Sequence, residues 1–430
     1  MLGRLLRRAK APEVDVGALN LAGSYMVLET TNRCPLKCGH CAVAEADKGH
    51  PHYSAIQHMP LGMVRELLVD LRTSGLRFDN LVMFWLGEPL SHPRFAEMYD
   101  LILEHTGNGE IFGKIEVHTN TFPLKPHIAD RALNDATVPQ VWHLTLDAIR
   151  EETFRVIKGL DAMKKSQKQA LYMVQRKGST SARWPKLAMQ FIVSDVNADE
   201  APEFVEFWTK AYEDAGLPIE TTGFHVPVHG PENYIFLKQL DCATPEEQDL
   251  QNRVYADLMR KLGLRSPVNP DAEEVVEAAV PRTLKTPCSG FYLSPTIGSD
   301  GRVTVCTRDN SYHNVVGSLV DSSFSELWLR NPWLNRRRQM VARGDYSELP
   351  YCQGCFIPSS VNYSGITERQ IDGFLRGAGL DGDDVAAPDG MPPWSRPYPD
   401  VYSGREVALT YGDRTGEREV AGQIVQIGGR

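Results

Sequence analysis

Three cysteines crowd one short stretch near the amino end of the chain. The segment TTNRCPLKCGHCAVAE, residues 30–45, places Cys34, Cys38 and Cys41 in a C-x3-C-x2-C spacing. A structural zinc site takes four protein ligands and usually draws them from C-x2-C pairs. Three thiolates on one loop instead fit three irons of a cubane 4Fe–4S cluster, and the fourth iron stays open to another ligand. The spacing favours an open iron–sulfur site.

The other cysteines form a second group and one outlier. Cys288, Cys306, Cys352 and Cys355 follow in the last third of the chain, and Cys242 stands alone. Four thiolates suit either a tetrahedral zinc ion or a cluster in which every iron has a protein ligand. The spacing does not separate these two alternatives.

Composition limits the class of protein. The chain has 430 residues, a formal net charge of −9 and a pI near 5.8. An acidic surface argues against nucleic acid as the partner. No apolar run is long enough to span a membrane, and the interrupted start MLGRLLRRAKAPEVD does not resemble a signal peptide. We expect a cytoplasmic protein, where close-spaced cysteines bind metal or do redox chemistry rather than form disulfides.

The elements that position the first three cysteines alternate along the chain. Between residues 25 and 227, β-rich apolar runs alternate with segments of helical periodicity, which predicts parallel βα units. Six units are too few for the eight of a closed barrel. We therefore predict a partial (β/α)6 TIM-like barrel with its active site at the carboxyl ends of the strands. The candidate strands are YMVLET, NLVMFWL, KIEVHTN, VWHLTLD, LAMQFIV and IETTGFHV.

The regular alternation of strand and helix patterns ends after this region. Residues 231–287 read as a mostly helical linker, and residues 288–360 combine a hairpin signal at Asp300-Gly301 with a helix and the last two cysteines. A Gly- and Pro-rich tail with one strand candidate, EVALTY, fills residues 361–430. The predicted organisation is an N-terminal segment 1–23, a barrel 24–230, the linker 231–287, a small α/β domain 288–360 and the tail.

The cysteine loop directly after the first strand resembles that of the radical S-adenosylmethionine (SAM) superfamily, and the resemblance covers residues 24–230. It implies that Cys34, Cys38 and Cys41 hold a 4Fe–4S cluster whose open iron binds SAM. The family cleaves SAM to methionine and a 5′-deoxyadenosyl radical, which takes a hydrogen atom from substrate.

The same resemblance implies cofactor contacts in the first two loops. His40 stands where the family usually has an aromatic residue that packs on adenine. The segment FWLGEPLSHPRF is similar to the family's Gly-Gly-Glu-Pro motif, with Leu86 in place of the first glycine and with Gly87 and Glu88 retained.

Further cofactor contacts are implied at the next three strands. HTNTF resembles a Thr-Asn segment that contacts SAM, which assigns Asn120 to it. HLTLD looks like the family's Ser-Leu-Asp-Gly segment, with Thr145 and Asp147 in the matching positions. Gln190 on the fifth strand is a further candidate.

The second cysteine group is similar to the Twitch module, the short form of the SPASM extension of this family. The resemblance implies that Cys288, Cys306, Cys352 and Cys355 hold an auxiliary 4Fe–4S cluster with no open iron. Such a cluster has no vacancy for substrate, so we expect it to transfer electrons. The implied cofactors are two 4Fe–4S clusters and SAM, and the implied partner is a low-potential electron donor such as flavodoxin or ferredoxin.

The leading hypothesis is the two-electron oxidation of a sugar- or cyclitol-like small molecule in a natural-product pathway. Twitch relatives include aminocyclitol dehydrogenases of antibiotic pathways, and the early position of Cys34 leaves little room for a peptide-recognition domain. The reaction needs a base for the hydroxyl proton, and His225 and His229 at the end of the sixth strand are the candidates.

Three alternatives stay open. A radical epimerase needs a hydrogen-atom donor, and Cys242 is the cysteine that neither group uses. A peptide-modifying enzyme would act on a short peptide precursor. A zinc-binding interaction protein without redox chemistry would be colourless.

Overall fold

The computed structural model describes residues 14–41, 56–225, 233–242, 244–266, 287–353, 355, 366–388, 418–420 and 423–425. The predicted base His229 and the predicted strand EVALTY lie outside these residues. Within them, no helix combines the length and the apolar composition that crossing a bilayer requires.

One mixed sheet organises the molecule. Its strand order is β10-β9-β8-β1-β2-β3-β4-β5-β7-β6, and all neighbours from β8 through β6 are parallel. The strands of the parallel part are β1 Tyr25–Leu28, β2 Asn80–Met83, β3 Ile115–Thr119, β4 Gln140–Thr145, β5 Lys186–Val193, β6 Ile219–Thr222, β7 Asn233–Gln239 and β8 Thr296–Ile297. The six predicted barrel strands are confirmed, and the sheet agrees with the partial barrel.

Helices follow the strands and pack on one face of the sheet. In α1, Val64, Leu67, Leu68 and Leu71 are buried at the spacing of one helical face, so this stripe joins the core beneath the strands. The helices of the barrel are α1 Leu61–Ser74, α2 Phe95–Thr106, α3 Pro126–Ala132, α4 Glu151–Lys158, α5 Met163–Gly178 and α6 Ala201–Asp214, followed by α7 Pro245–Lys261. Short 3-10 helices lie at Val16–Ala18, Pro89–Ser91 and Ala198–Glu200.

The predicted helical linker, residues 231–287, contains a strand that the sequence analysis did not anticipate. β7 is inserted between β5 and β6 and pairs with both, so β6 is displaced to the edge. The run NYIFLKQ is buried at six of its seven positions, as expected for a strand covered on both faces. α7 supplies the helical part.

The C-terminal domain continues the barrel sheet. β8 pairs in parallel with β1 and forms an antiparallel hairpin with β9, Arg302–Thr304, across the predicted Asp300-Gly301 turn. The buried Glu29 carboxylate also accepts hydrogen bonds from the amide and hydroxyl of Ser299 at 2.9 and 2.8 Å. The remaining elements are α8 Gly290–Leu293, β10 Val315–Ser318, a π-helix Glu326–Arg330, α9 Pro332–Ala342, α10 Pro350–Gln353, α11 Glu368–Gly377, β11 Arg418–Val420 and β12 Gln423–Val425.

Candidate functional site

The three-cysteine loop follows β1 and is anchored by the carboxyl end of α4. The amides of Lys37 and Gly39 donate hydrogen bonds to the carbonyls of Lys158 and Ile157 at 2.9 and 3.0 Å. Gly159 ends the helix in the left-handed region at φ 65°, and a side-chain Cβ there would come within 2.4 Å of the Lys37 carbonyl oxygen. The backbone of α4 therefore fixes where the loop lies.

The thiols of this loop lie close to one another. Burial raises the pKa of Cys34 well above its ordinary value, and the neighbouring Cys38 raises it further. Burial likewise raises the pKa of Cys38 to about 12, with the Lys158 ammonium opposing and Cys41 reinforcing the shift. Neighbouring thiols that are half-buried in this way do not ionise together without a cation, and iron would supply that charge. The donor set fits an iron–sulfur cluster.

Gly87 allows the loop after β2 to pack closely against the cysteine loop after β1. A Cβ at this position would lie 1.7 Å from the carbonyl oxygen of Thr31, so no other residue fits without moving the backbone. The next amide, that of Glu88, donates a 2.9 Å hydrogen bond to the carbonyl of Arg33, the residue before the first cysteine. The glycine is needed for this close approach.

The carboxylate of Glu88, a predicted cofactor contact, is hydrogen-bonded by other groups of the chain. It accepts hydrogen bonds from the Thr119 hydroxyl at 2.7 Å, the Asn120 amide at 2.8 Å and the Leu90 amide at 3.1 Å. Burial raises the pKa of Glu88 to about 7, against these hydrogen bonds, which lower it. The side chain therefore holds the loop after β3 in place.

Asn120 contacts the cysteine loop directly. Its Nδ2 lies 3.6 Å from the Sγ of Cys34, and its Oδ1 accepts a 3.1 Å hydrogen bond from the amide of Phe122. Hydrogen bonds to ligand sulfur tune the potential of iron–sulfur clusters. His40 lies half-buried in the turn between Cys38 and Cys41, on the same loop.

Thr145, the last residue of β4, is the register partner of Gln190, which lies in the middle of β5. Gln190 Nε2 donates a 3.2 Å hydrogen bond to Thr145 Oγ1. Its Oε1 is buried and has no hydrogen-bond partner among the described residues. A buried acceptor of this kind fits a donor group of a bound ligand.

Asp147, also predicted to contact a cofactor, is committed to internal partners. Its Oδ1 accepts a 2.7 Å hydrogen bond from the Ile192 amide, and its Oδ2 pairs with the buried Lys158 ammonium at 2.5 Å. Burial opposes protonation of Lys158, but Asp147 and the nearby thiols outweigh it and raise the pKa of Lys158. Asp147, at φ 62°, positions the lysine beside the cysteine loop.

The second cysteine group is also brought together. A Cβ on Gly290 would lie 3.4 Å from the Sγ of Cys288 and 3.7 Å from the Cβ of Cys306. Burial raises the pKa of Cys306 beyond the usual range, and Cys288 and Cys355 add to the shift. Burial raises the pKa of Cys352 to about 12, again with Cys288 contributing.

Backbone and amide donors surround these sulfurs. The Arg308 amide donates a 3.3 Å hydrogen bond to Cys306 Sγ, and Asn314 Nδ2 lies 3.6 Å from Cys352 Sγ. The buried Asp309 carboxylate holds this loop by accepting from Thr304, His313 and Asn314. Thiols that raise one another's pKa, with N–H groups beside their sulfurs, fit the ligand set of a second iron–sulfur cluster.

Cys242 lies at the junction between the two parts of the site. Its side chain is 1% exposed, its Sγ is 3.9 Å from the Leu240 carbonyl oxygen, and its own carbonyl accepts a 2.5 Å hydrogen bond from Arg308 Nη2. The thiol faces the interior near the carboxyl end of β7.

His225 lies beside a cluster that the sequence analysis missed. Its ring is 6.4 Å from that of His143 and is stacked on Phe236 at 6.2 Å. Loss of solvation by the surrounding protein lowers the pKa of His225, although the side chain is still exposed to solvent. His143 in turn stacks on His118, which contacts Glu116. The period-two spacing of Glu116 and His118 in β3, continued by Asn120 just after the strand, was the available signal.

Basic side chains line a cleft of about 480 Å³ next to the cysteine loop. Lys165 lies over the Phe122 ring at 3.6 Å, and Arg94 is paired with Glu97. The basic and histidine residues that line it are Arg33, His92, Arg94, Lys125, His127, Arg131 and Lys165. In a chain of net charge −9, this is a local concentration of positive charge.

Two family models match the chain. The radical SAM superfamily model matches residues 28–207, and the SPASM iron–sulfur cluster-binding domain model matches residues 288–356. No curated protein matches the chain.

Several solved structures match the chain at low sequence identity. SuiB of Streptococcus suis bound to S-adenosylmethionine is 14% identical, with a TM-score of 0.47, over 72% of this chain and 66% of that one. The chain therefore spans about two thirds of the length of SuiB. BtrN in complex with AdoMet and 2-DOIA is 12% identical, with a TM-score of 0.41, and the match covers 81% of this chain and 96% of BtrN. anSMEcpe with bound AdoMet is 13% identical, with a TM-score of 0.48, and the match covers 83% of this chain and 96% of anSMEcpe.

Proposed function

The chain belongs to the radical SAM superfamily and carries a SPASM iron–sulfur domain, and from this premise we propose that it oxidises a secondary alcohol of a sugar- or cyclitol-like small molecule by two electrons. SAM and iron–sulfur clusters are its cofactors. When bound, they supply the 5′-deoxyadenosyl radical and accept the electron that the substrate gives up.

We assign Cys34, Cys38 and Cys41 to the first cluster, within a barrel domain of residues 24–230. The influence of these thiols on one another's pKa and the side-chain amide of Asn120 beside Cys34 support the assignment. The second cluster takes Cys288, Cys306, Cys352 and Cys355, within a domain of residues 288–360. Their raised pKa values and surrounding N–H donors support it.

The cofactor contacts divide into two kinds. His40, the backbone at Gly87, Asn120, Thr145 and Gln190 bind SAM in this proposal, since they lie on the loop and strand ends around the first cysteines. Glu88 and Asp147 act as positioning residues, because their carboxylates are used by neighbouring amides, a hydroxyl and Lys158.

The oxidation needs an acceptor for one proton and one electron. Once the carbinol C–H hydrogen has left as an atom, His225 would take the hydroxyl proton and the carbon–oxygen bond would become a carbonyl. A cluster held by the SPASM cysteines would supply the acceptor for the remaining electron. His225 suits the first role because the residue is exposed and because its lowered pKa favours the neutral ring, which can accept a proton. One observation supports the proposal most: the four thiols that we assign to the second cluster influence one another's pKa, in a domain whose strand β8 pairs with barrel strand β1, and a cluster with four cysteine ligands would keep no iron open for substrate.

The position of Cys242 favours oxidation over epimerisation. A hydrogen-atom donor must reach the substrate radical, whereas this thiol is 1% exposed and directed at the Leu240 carbonyl. We therefore place Cys242 in the structural contact between β7 and the SPASM domain, where its carbonyl accepts from Arg308.

The electron that cleaves SAM comes, in this proposal, from an acidic low-potential protein such as flavodoxin or ferredoxin. The basic cleft beside Arg33 supports this partner, because complementary charge speeds and orients encounter. Arg33 immediately precedes Cys34, so a donor bound there is close to the first cluster.

Anaerobic turnover tests the function. Purified holoenzyme is incubated with SAM, dithionite and panels of sugars, cyclitols and short peptides, and products are identified by mass spectrometry. The expected result is 5′-deoxyadenosine with a cyclitol or sugar that has lost two hydrogens. Unchanged mass with inverted stereochemistry would assign an epimerase, and an oxidised peptide would assign a peptide-modifying enzyme.

A further inference from the structure

A carboxylate and two imidazoles meet inside the barrel, on β3 and β4. The Oε2 of Glu116 lies 3.3 Å from the Nε2 of His118 and 3.9 Å from the Nε2 of His143. One potential ligand atom from each residue lies within 4.8 Å of the other two. The strands hold them in place, since His118 and His143 are direct register partners.

His143 is unsatisfied at this site. It is 0% exposed, and neither of its ring nitrogens has a hydrogen-bond partner among the described residues. Buried polar groups are nearly always paired, and each exception calls for an explanation. An imidazole that is buried, neutral and without a hydrogen-bond partner is a ready metal ligand.

The charges at the site are compatible with a cation. The buried Glu116 side chain supplies a carboxylate, a ligand type that zinc accepts together with histidine nitrogen. Lys114 pairs with the other oxygen, Oε1, and leaves Oε2 directed at the imidazoles.

We propose that Glu116, His118 and His143 form a binding site for a divalent transition metal ion of the zinc type. Zinc lies about 2.0–2.2 Å from histidine nitrogen and carboxylate oxygen, so two of its ligand atoms are roughly 3.4 Å apart. The separations of Glu116 Oε2 from the two imidazole nitrogens, 3.3 and 3.9 Å, are close to that value, and all three ligand atoms lie within 4.8 Å of one another. The two rings, now stacked at 4.1 Å and 11°, turn toward the ion when it binds.

Three protein ligands leave a coordination position open, as catalytic zinc sites do. His118 is 21% exposed, which makes that position reachable from the barrel interior. A substrate hydroxyl bound there would become more acidic, and its proton could pass to His225, 6.4 Å from His143 ring to ring. This role rests on the proposed oxidation, whereas the binding of the ion does not.

Zinc uptake by the holoenzyme tests the site. Enzyme with both clusters assembled is dialysed anaerobically against micromolar free zinc, and its zinc and iron are measured by mass spectrometry. The expected result is one zinc per chain in the wild type and in the controls His127→Ala and Cys242→Ala. Losing an outer-shell partner already weakens metal binding about 10–100-fold, so we expect at least a 100-fold loss in His143→Leu and Glu116→Gln.

The zinc X-ray absorption spectrum identifies the ligands. Nitrogen and oxygen neighbours with imidazole scattering support the proposal, while a sulfur shell would place the ion on cysteines and overturn it. Two further results would overturn the proposal. One is that the wild-type enzyme with its iron–sulfur clusters assembled binds no zinc, and the other is that the Glu116→Gln enzyme binds zinc as tightly as the wild type. Iron content and circular dichroism show whether each variant is folded. Neither SAM nor substrate is needed, so failure here is distinct from failure of the oxidation assay.

Discussion

The indole Nε1–H of Trp85 donates a 2.7 Å hydrogen bond to the carbonyl oxygen of Thr307. Trp85 follows β2 two residues before Gly87, and Thr307 follows the SPASM cysteine Cys306. The same indole meets the Tyr312 ring edge-on at 5.2 Å. This side chain therefore spans the boundary between the parts of the chain that carry the two cysteine groups.

Replacing Trp85 by phenylalanine tests whether that contact couples SAM cleavage to the oxidation of the substrate. Trp85→Phe keeps an apolar ring but leaves the Thr307 carbonyl without its donor, so we expect fewer product molecules per 5′-deoxyadenosine while SAM cleavage continues. Trp208→Phe is the matched control, because its buried indole nitrogen has no partner among the described residues. Equal coupling in both variants would contradict the role of Trp85. Chromatography of both products gives the ratio.

Gly159 is expected to determine whether the first cluster assembles. In Gly159→Ala the new methyl group meets the Lys37 carbonyl, at 2.4 Å, and the cysteine loop must move. Gly75→Ala places the same strain at φ 75° with its nearest neighbour 3.9 Å away. We expect iron per chain to fall from about eight to about four in the first variant only, since each cubane holds four irons. Equal iron in the two variants would show that α4 does not position the loop.

The sequence identified the parts of the site that depend on local pattern. Cysteine spacing, strand alternation and the Asp300-Gly301 turn each signal their role within a few residues, and the strands and hairpin are confirmed. Lys158 and Gly159 gave no such signal, because their partners Asp147 and Lys37 are reached only through tertiary packing.

The internal partners of Glu88 and Asp147 were also beyond the reach of the sequence. The resemblance implied that both residues contact a cofactor, which stays a prediction, whereas the structure adds that neighbouring groups of the chain satisfy both buried carboxylates. Strand β7 was missed for a related reason. Its position between β5 and β6 follows from pairing across the sheet rather than from order along the chain.

Charge reversal in the basic cleft should slow reduction by a protein donor. We expect Lys125→Glu with Lys165→Glu to lower the flavodoxin-supported rate about tenfold at low salt, because electrostatic steering contributes roughly 10–1000-fold to such encounters. Dithionite is small and needs no docking, so its rate should not change. Lys210→Glu, on α6 and outside this cleft, is the control. A rate that is insensitive to both charge and salt would place the donor elsewhere.

The acidic limb of the rate profile should report His225. A protonated imidazole cannot accept the hydroxyl proton, and surrounding protein lowers the pKa of His225 from 6.5. Activity should therefore persist below pH 6.5 and fall only when the ring protonates at lower pH. The profile of kcat/KM in the wild type is compared with that of His225→Gln, which should lose most of its activity and this limb. A limb retained in the variant would assign the proton to another group.

Cys242→Ala separates oxidation from epimerisation. The thiol is buried, so its removal leaves a small cavity and should cost about 1 kcal/mol of stability or somewhat more, without affecting an alcohol oxidation that never uses it. We therefore expect unchanged product per 5′-deoxyadenosine and a slightly lower melting temperature. Cys242→Ser serves as the control for packing, since it keeps the volume and removes only the weak S–H bond. If either variant consumes SAM but yields no product, and deuterium from solvent no longer enters the substrate carbon, the thiol is the hydrogen donor and the enzyme is an epimerase.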